Sequence, residues 1–423
     1  MVRNRNFRLL WLAQMISAAG DSFSFLAIAI RIDDLSDSAG ASAQALSLVL
    51  IAYALPTLAL GLFAGTLVDR WDRKRVMVFS DVARAIIAPG YLLLQSSTDL
   101  PVAVLTAFLL ASFGVFFYPA RTALLPSLVR QDELMSANGS MQLGNTIAKL
   151  AGPALAGLVI GFWGTQAAFW VDSASFMVSG VLVLGISGVV TRAVASRESS
   201  RSAMQDFREG VRFVIQSRLL QGVTLGIGIA MLGIGAVNVL FVPFLRDAFV
   251  VDPKVLGGIE TAQGAGMVLG ALSIGALAKR LTSLKISVVA MIGLGLGIGA
   301  FGLAPALSLI VAAMPLIGFT LPPINASLST MLQRGVPQGL LGRAGSVMDM
   351  ASSLTNLLSM GLAGWVAGML GLRETFVLAG VIILIAGVAM GRMLQADQTA
   401  NADQETYQQA QPGAQIQEVL AGE

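Results

Sequence analysis

The stretch GTLVDRWDRKR, Gly65 to Arg75, sets six charged side chains among eleven residues. On its left runs LSLVLIAYALPTLALGLFA, and on its right VMVFSDVARAIIAPGYLLL. Each flank can cross a hydrocarbon core about 30 Å thick at about 1.5 Å per helical residue. The charged stretch therefore reads as a tight turn at a membrane surface, between two transmembrane helices.

The rest of the chain follows the same pattern. Of 423 residues, 55% are hydrophobic and 12% charged, where a soluble protein carries about 25% charged residues. Only helices and closed barrels satisfy their backbone in lipid, and these apolar runs lack the strict alternation of barrel strands. The fold class is an all-α integral membrane bundle. With no cysteine and no histidine, disulfides, thiol nucleophiles and the commonest metal ligand are absent, so proton chemistry falls to carboxylates. The net charge of +3 comes from basic residues scattered over short loops, which suits membrane topology better than nucleic-acid binding.

Twelve spans are read: 8–30, 45–68, 76–96, 101–127, 139–162, 167–190, 219–245, 256–278, 286–303, 307–331, 345–371 and 374–394. Placing the N-terminus inside puts Arg3, Arg5, Arg8, Arg70, Arg73, Lys74, Arg75, Arg130, Arg192, Arg201, Lys279, Arg280 and Arg343 on the cytoplasmic side. The opposite loops then hold only Arg31, Arg246, Lys254 and Arg373. By the positive-inside rule both termini lie in the cytoplasm. The expected location is the cell membrane, with the first span retained rather than cleaved as a signal peptide.

Residues 1–190 form one six-span bundle and 219–394 a second. The linker 191–218 carries Phe207, Val211, Val214 and Ile215 at helical spacing, which predicts a short helix at the inner membrane surface. Residues 395–423, rich in Gln and Ala, read as a disordered cytoplasmic tail. The halves look duplicated: Gly65-x-x-x-Asp69-Arg70 answers Gly275-x-x-x-Lys279-Arg280, Pro119 answers Pro323, and Arg130 answers Arg334. Two such bundles enclose a cavity near the bilayer midplane.

GTLVDRWDRKR resembles the loop signature of the major facilitator superfamily, with Asp72 where that signature has a second glycine. The fifth span is similar to the antiporter signature of drug exporters. Gly139, Ala148, Gly152, Pro153 and Gly157 keep its spacing, with alanine replacing glycine at two positions. FFYPARTALLPSLV and NASLSTMLQRGVPQGLLGR look like the subgroup of enterobactin exporters and macrolide-efflux proteins. The resemblance implies alternating access between the two bundles. It also implies a gating role for Asp69 with Arg70, Arg73, Lys74 and Arg75, in a charge network near the start of span eleven; lipid anchoring is the other role open to the basic residues.

A charge near the bilayer centre costs about 2.5–3.5 kcal/mol on insertion scales, so each needs a reason. Asp21 lies deep in span one, which lines the cavity in this superfamily, and reads as a proton or substrate group or else a structural hydrogen-bond partner. Lys149, inside span five, pairs with Asp21, binds substrate or forms a structural ion pair. Glu260 and Asp349 are further candidates, with ordinary polar roles open to both. Asp172, and Asp81 with Arg84, read as structural pairs. Gly61-x-x-x-Gly65, Gly157-x-x-x-Gly161 and Gly364-x-x-x-Gly368 predict close helix contacts, and Gly152-Pro153 a bend.

The expectation is a secondary exporter of an amphiphilic small molecule (a drug, macrolide or siderophore-like compound), run as a proton antiporter. It is expected to work as a monomer among membrane lipids, without cofactor, metal or nucleic acid. Uptake or flipping of a metabolite or lysophospholipid is the alternative, and a membrane enzyme a distant one.

Overall fold

The computed structural model describes residues 4–68, 71–187, 203–337 and 340–409. Its described elements are all helical: α1 Arg5–Asp34, α2 Ala39–Val68, α3 Arg73–Ile87, α4 Leu100–Leu124, α5 Leu134–Leu184, α6 Ala203–Gln216, α7 Arg218–Phe249, α8 Pro253–Ala278, α9 Ser283–Leu303, α10 Leu307–Gly335, α11 Leu341–Leu370 and α12 Leu372–Gln409. Helix α5 is two spans, because its backbone breaks at Gly164 with φ 80° and ψ 172°. Counting its two arms separately gives twelve crossings, as the apolar runs predict.

The internal repeat goes further than matched turns. Gly371, between α11 and α12, has φ 99° and ψ 158°, nearly the conformation of Gly164. Essentially only glycine occupies that region, so each half turns from its fifth to its sixth span on one glycine. The signature position taken by Asp72 also acquires a purpose. Its side chain caps α3, accepting a hydrogen bond from the Arg75 amide at 2.9 Å. In the second half Thr282 caps α9 in the same way, accepting from the Lys285 amide at 3.4 Å. A side-chain acceptor satisfies one of the orphan amides at a helix start, worth about 1 kcal/mol.

Packing is not even along the bundle. At the end remote from Asn4 one continuous core joins both halves, with Phe23, Leu26 and Phe169 packed in the same cluster as Phe244, Phe301 and Phe376. At the end bearing Asn4 there are two separate cores. One holds Phe7, Leu10, Met77 and Leu124 of the first half; the other holds Leu220, Met331 and Met390 of the second. The halves therefore close together at the far end and part at the Asn4 end.

Small residues make the far-end closure. A Cβ on Gly157 would stand 2.7 Å from the Pro253 carbonyl oxygen and 3.0 Å from the Gly257 Cα. One on Gly364 would stand 2.8 Å from the Gln44 Cα. Such contacts allow the backbones of α5 and α8, and of α11 and α2, to touch. The expectation fails at Gly61 and Gly368, beside which nothing lies within 4 Å, and Gly65 is outside the described side chains. The backbone of α5 breaks at Gly164, the one non-helical position described inside it, while Pro153 sits within helical backbone.

Helix α6, Ala203–Gln216, lies within the linker and docks on the second half. Val214 is buried in the second-half core with Phe213 against it, and a Cβ on Gly210 would lie 2.7 Å from the Arg343 carbonyl oxygen. Ile215 points away, 63% exposed. Helix α12 runs on to Gln409, past the point where the sequence reading begins a disordered tail. Residues 395–409 contain neither Gly nor Pro, so nothing local breaks that helix. Residues 410–423 lie outside the described residues.

Candidate functional site

Along α1, Gln14, Ala18, Asp21 and Phe25 recur at i, i+4, i+7 and i+11, on one face of the helix. Gln14 accepts a hydrogen bond from Arg121 of α4, whose guanidinium lies 4.3 Å from the Tyr118 ring centre. Asp21 and Phe25 are exposed on this face. In the first arm of α5, Gln142, Asn145 and Lys149 recur at i, i+3 and i+7, all partly or fully exposed. Asp21 experiences the charges of Arg84 and Lys149, and its own charge reaches Tyr53, Asp81 and Asp172. No salt bridge joins Asp21 to Lys149 among the described residues; they are neighbours at longer range.

Behind that face the polar groups are sealed. Asp172, on the second arm of α5, accepts from Ser24 of α1 and is 1% exposed. Asp81 is fully buried, with Arg84 Nη2 donating to its Oδ1 at 2.5 Å and Ser179 to its Oδ2 at 2.6 Å. The Arg84 guanidinium also lies over Phe176 at 4.3 Å and near Phe117 at 5.0 Å. Two buried atoms have no partner here, Asp172 Oδ1 and Arg84 Nε. The approach of α1 depends on Gly20, where a Cβ would stand 2.9 Å from Asp172 Oδ1. The pair read from sequence as structural therefore belongs to the same electrostatic cluster as Asp21.

In the second half a cavity of about 310 Å³ opens against α1. Phe241, Phe301 and Phe376 line it, with Asn238, Gln263 and Glu260 as its polar groups, and Phe25 of α1 closes it from the other half. Rings 301 and 376 stack with centres 5.1 Å apart, and Phe241 lies 6.0 Å from Phe301. Glu260 is half-buried. Among the described residues no cation, hydrogen bond or salt bridge engages it.

The other expected residues disperse. Asp349 is exposed on α11. Asp69 and Arg70 lie outside the described residues, so the gating network is not on view. Arg73 and Lys74 bind within the first half: Arg73 donates to the Ala123 carbonyl at 2.9 Å, and Lys74 to those of Leu184 and Ile186 at 2.8 and 2.6 Å. They place positive charge at helix C-termini, where the dipole favours it. Of the antiporter-like positions, Gly152 packs a span against α1, a Cβ there lying 2.9 Å from Ser22 Cβ; Gly157 forms the seam with α8, Ala148 is buried, and Gly139 has nothing within 4 Å. Sequence reasoning missed Arg121, Asn238 and Gln263. Arg121 had a signal, a charge two residues after a proline inside an apolar helix; the two amides had none.

A family model described as a transmembrane secretion effector matches residues 1–422. The chain belongs to the major facilitator superfamily. This superfamily member is 30% identical over 361 residues to the multidrug efflux pump Tap of Mycolicibacterium fortuitum, covering 82% of the chain and 86% of that relative. It is 24% identical over 390 residues to macrolide efflux protein A of Streptococcus pyogenes, covering 90% and 94%. Its fold matches a bacterial homologue of the iron transporter ferroportin in an inward-facing state, with a TM-score of 0.75 at 15% identity over 92% of this chain and 98% of that one. The nucleoside transporter NupG matches with a TM-score of 0.76 at 14% identity over 92% and 100%. The chain is thus a multi-pass membrane transporter with the two-bundle architecture expected from its repeats.

Proposed function

We propose that this transporter exports an amphiphilic small molecule from the cytoplasm by alternating access, driven by inward movement of protons. The observation that carries the reading is the uneven core: one cluster joins the halves at the far end, while two separate clusters face each other at the Asn4 end. With the basic loops inside, as the positive-inside rule requires, this conformation is open to the cytoplasm. The similarity to efflux proteins supports export of a drug-like compound.

Coupling is assigned to the Asp21 cluster. Asp21 releases its proton when Lys149 approaches to pair with it, and takes one up when the opposite opening draws Lys149 away. Release then occurs on the cytoplasmic side and uptake outside, which gives inward proton flow. The gating role of Asp69 and its basic neighbours belongs to this cycle.

The test is accumulation of a panel of amphiphilic compounds in cells with and without the protein, repeated after a protonophore collapses the gradient. Export predicts lower accumulation of at least one compound, abolished by the protonophore. Higher accumulation would indicate uptake, and indifference to the protonophore would exclude proton coupling. A reporter fused after Arg201 should read cytoplasmic and one near Asp37 external; the reverse pattern would invert the orientation.

A further inference from the structure

We propose that the cavity around Glu260 is a binding site for a small lipophilic monocation, held by the second half and capped by Phe25. The inference deepens the export reading and rests on it for the meaning of the site. Three features converge. Glu260 is a carboxylate about two turns into α8 from its far end, with no described cation or hydrogen-bond donor engaging it, so the charge that would balance it is not supplied by the described protein. The walls around it are apolar, with Phe241 and Phe25 offering accessible ring surface and Phe301 and Phe376 buried and stacked on each other. Ring faces attract cations within about 6 Å and favour weakly hydrated organic ammonium groups over inorganic ions. The remaining polar groups, Asn238 and Gln263, are neutral and place no second charge in the pocket.

Size narrows the class. Ligand pockets span about 300–1,000 Å³, and this one, at about 310 Å³, stands at the small end. It suits a planar or compact ion of two or three rings rather than a macrocycle. A neutral isostere gains the ring contacts but leaves the carboxylate unbalanced, so charge should dominate selectivity. A dianion or dication has no further partner there. Phe25 is contributed by α1, so separating the halves would uncover the site, linking occupancy to the conformational cycle.

Binding can be measured without any gradient, on the purified full chain in lipid nanodiscs by equilibrium dialysis. N-methylquinolinium serves as the monocation and 1-methylnaphthalene as its neutral isostere. The wild type should prefer the cation, and Glu260→Gln should weaken cation binding at least tenfold while changing the neutral probe less than twofold. Glu260→Asp should restore part of the loss. Folding is checked by thermal melting, and a variant that does not fold is replaced by Phe241→Leu, which should weaken the cation more than the neutral probe. No cation binding by the wild type, equal loss for both probes, or unchanged cation binding in Glu260→Gln would each overturn the site. Glu260-dependent binding without export in cells would instead leave the site standing and defeat the export reading. Export unaffected by Glu260→Gln would do the reverse.

Discussion

Arg246 of α7 donates to Asp34 of α1 at 2.7 Å and lies 3.0 Å from Asp33, so one guanidinium ties the two halves together at the closed end. The same group reaches the Ile30 carbonyl at 3.2 Å. These partners belong to helices that share little else, and they must separate if the far end is to open. The contact is a latch rather than a brace inside one bundle.

Removing that latch should shift the conformational balance rather than unfold the protein. The pair is partly exposed, so its worth is discounted to about 1 kcal/mol, roughly fivefold in the closed-to-open ratio. The native chain has no cysteine, so a single cysteine at Ala43, fully buried in the core that joins the halves, reports far-end opening cleanly. Arg246→Ala should raise its labelling rate several-fold. An unchanged rate in a folded variant would show that the small-residue seam alone holds the end shut.

That seam has its own test. Gly157→Leu places a side chain where even a Cβ meets the Pro253 carbonyl oxygen at 2.7 Å. The helices α5 and α8 would be forced apart at the far end. Membrane insertion should be normal, transport should fall below about a tenth, and the Ala43 cysteine should label faster. Normal transport by Gly157→Leu would place the seam outside the working cycle.

The Asp81–Arg84 pair is buried, and removing one partner of such a pair leaves an uncompensated charge costing about 3–5 kcal/mol. Arg84→Met should therefore lower the thermal midpoint sharply. The double variant Asp81→Leu with Arg84→Met should recover much of that loss. If it recovers stability without transport, Arg84 is needed by Asp21 as well as by Asp81.

Asp21→Asn should abolish accumulation against a gradient while leaving substrate exchange between the two sides. Exchange needs only the conformational change, whereas uphill transport needs the proton. The measurement is counterflow against gradient-driven transport in proteoliposomes. Retention of gradient-driven transport with unchanged pH dependence would pass the proton role to Glu260 or Asp349.

Solvent preference and local backbone chemistry were readable from the chain itself. The charged turn between two apolar runs, the halving of the chain by a basic linker and the near-absence of charge elsewhere determine a twelve-span bundle, because the hydrophobic thickness of a membrane acts on each segment separately. The two single-glycine turns, Gly164 and Gly371, and the paired caps Asp72 and Thr282 are equally local, though the spacing alone did not single them out. Tertiary structure decided the rest. Asp21, Arg84 and Asp172 meet because Gly20 lets α1 approach the second arm of α5, and that approach depends on the rotation of each helix about its axis. Glu260 shares its cavity with phenyl rings contributed by α7, α9 and α12, from positions 19 residues before it to 116 after it in the sequence. Periodicity constrains which residues share a face of one helix; which faces meet is settled by packing across the whole bundle.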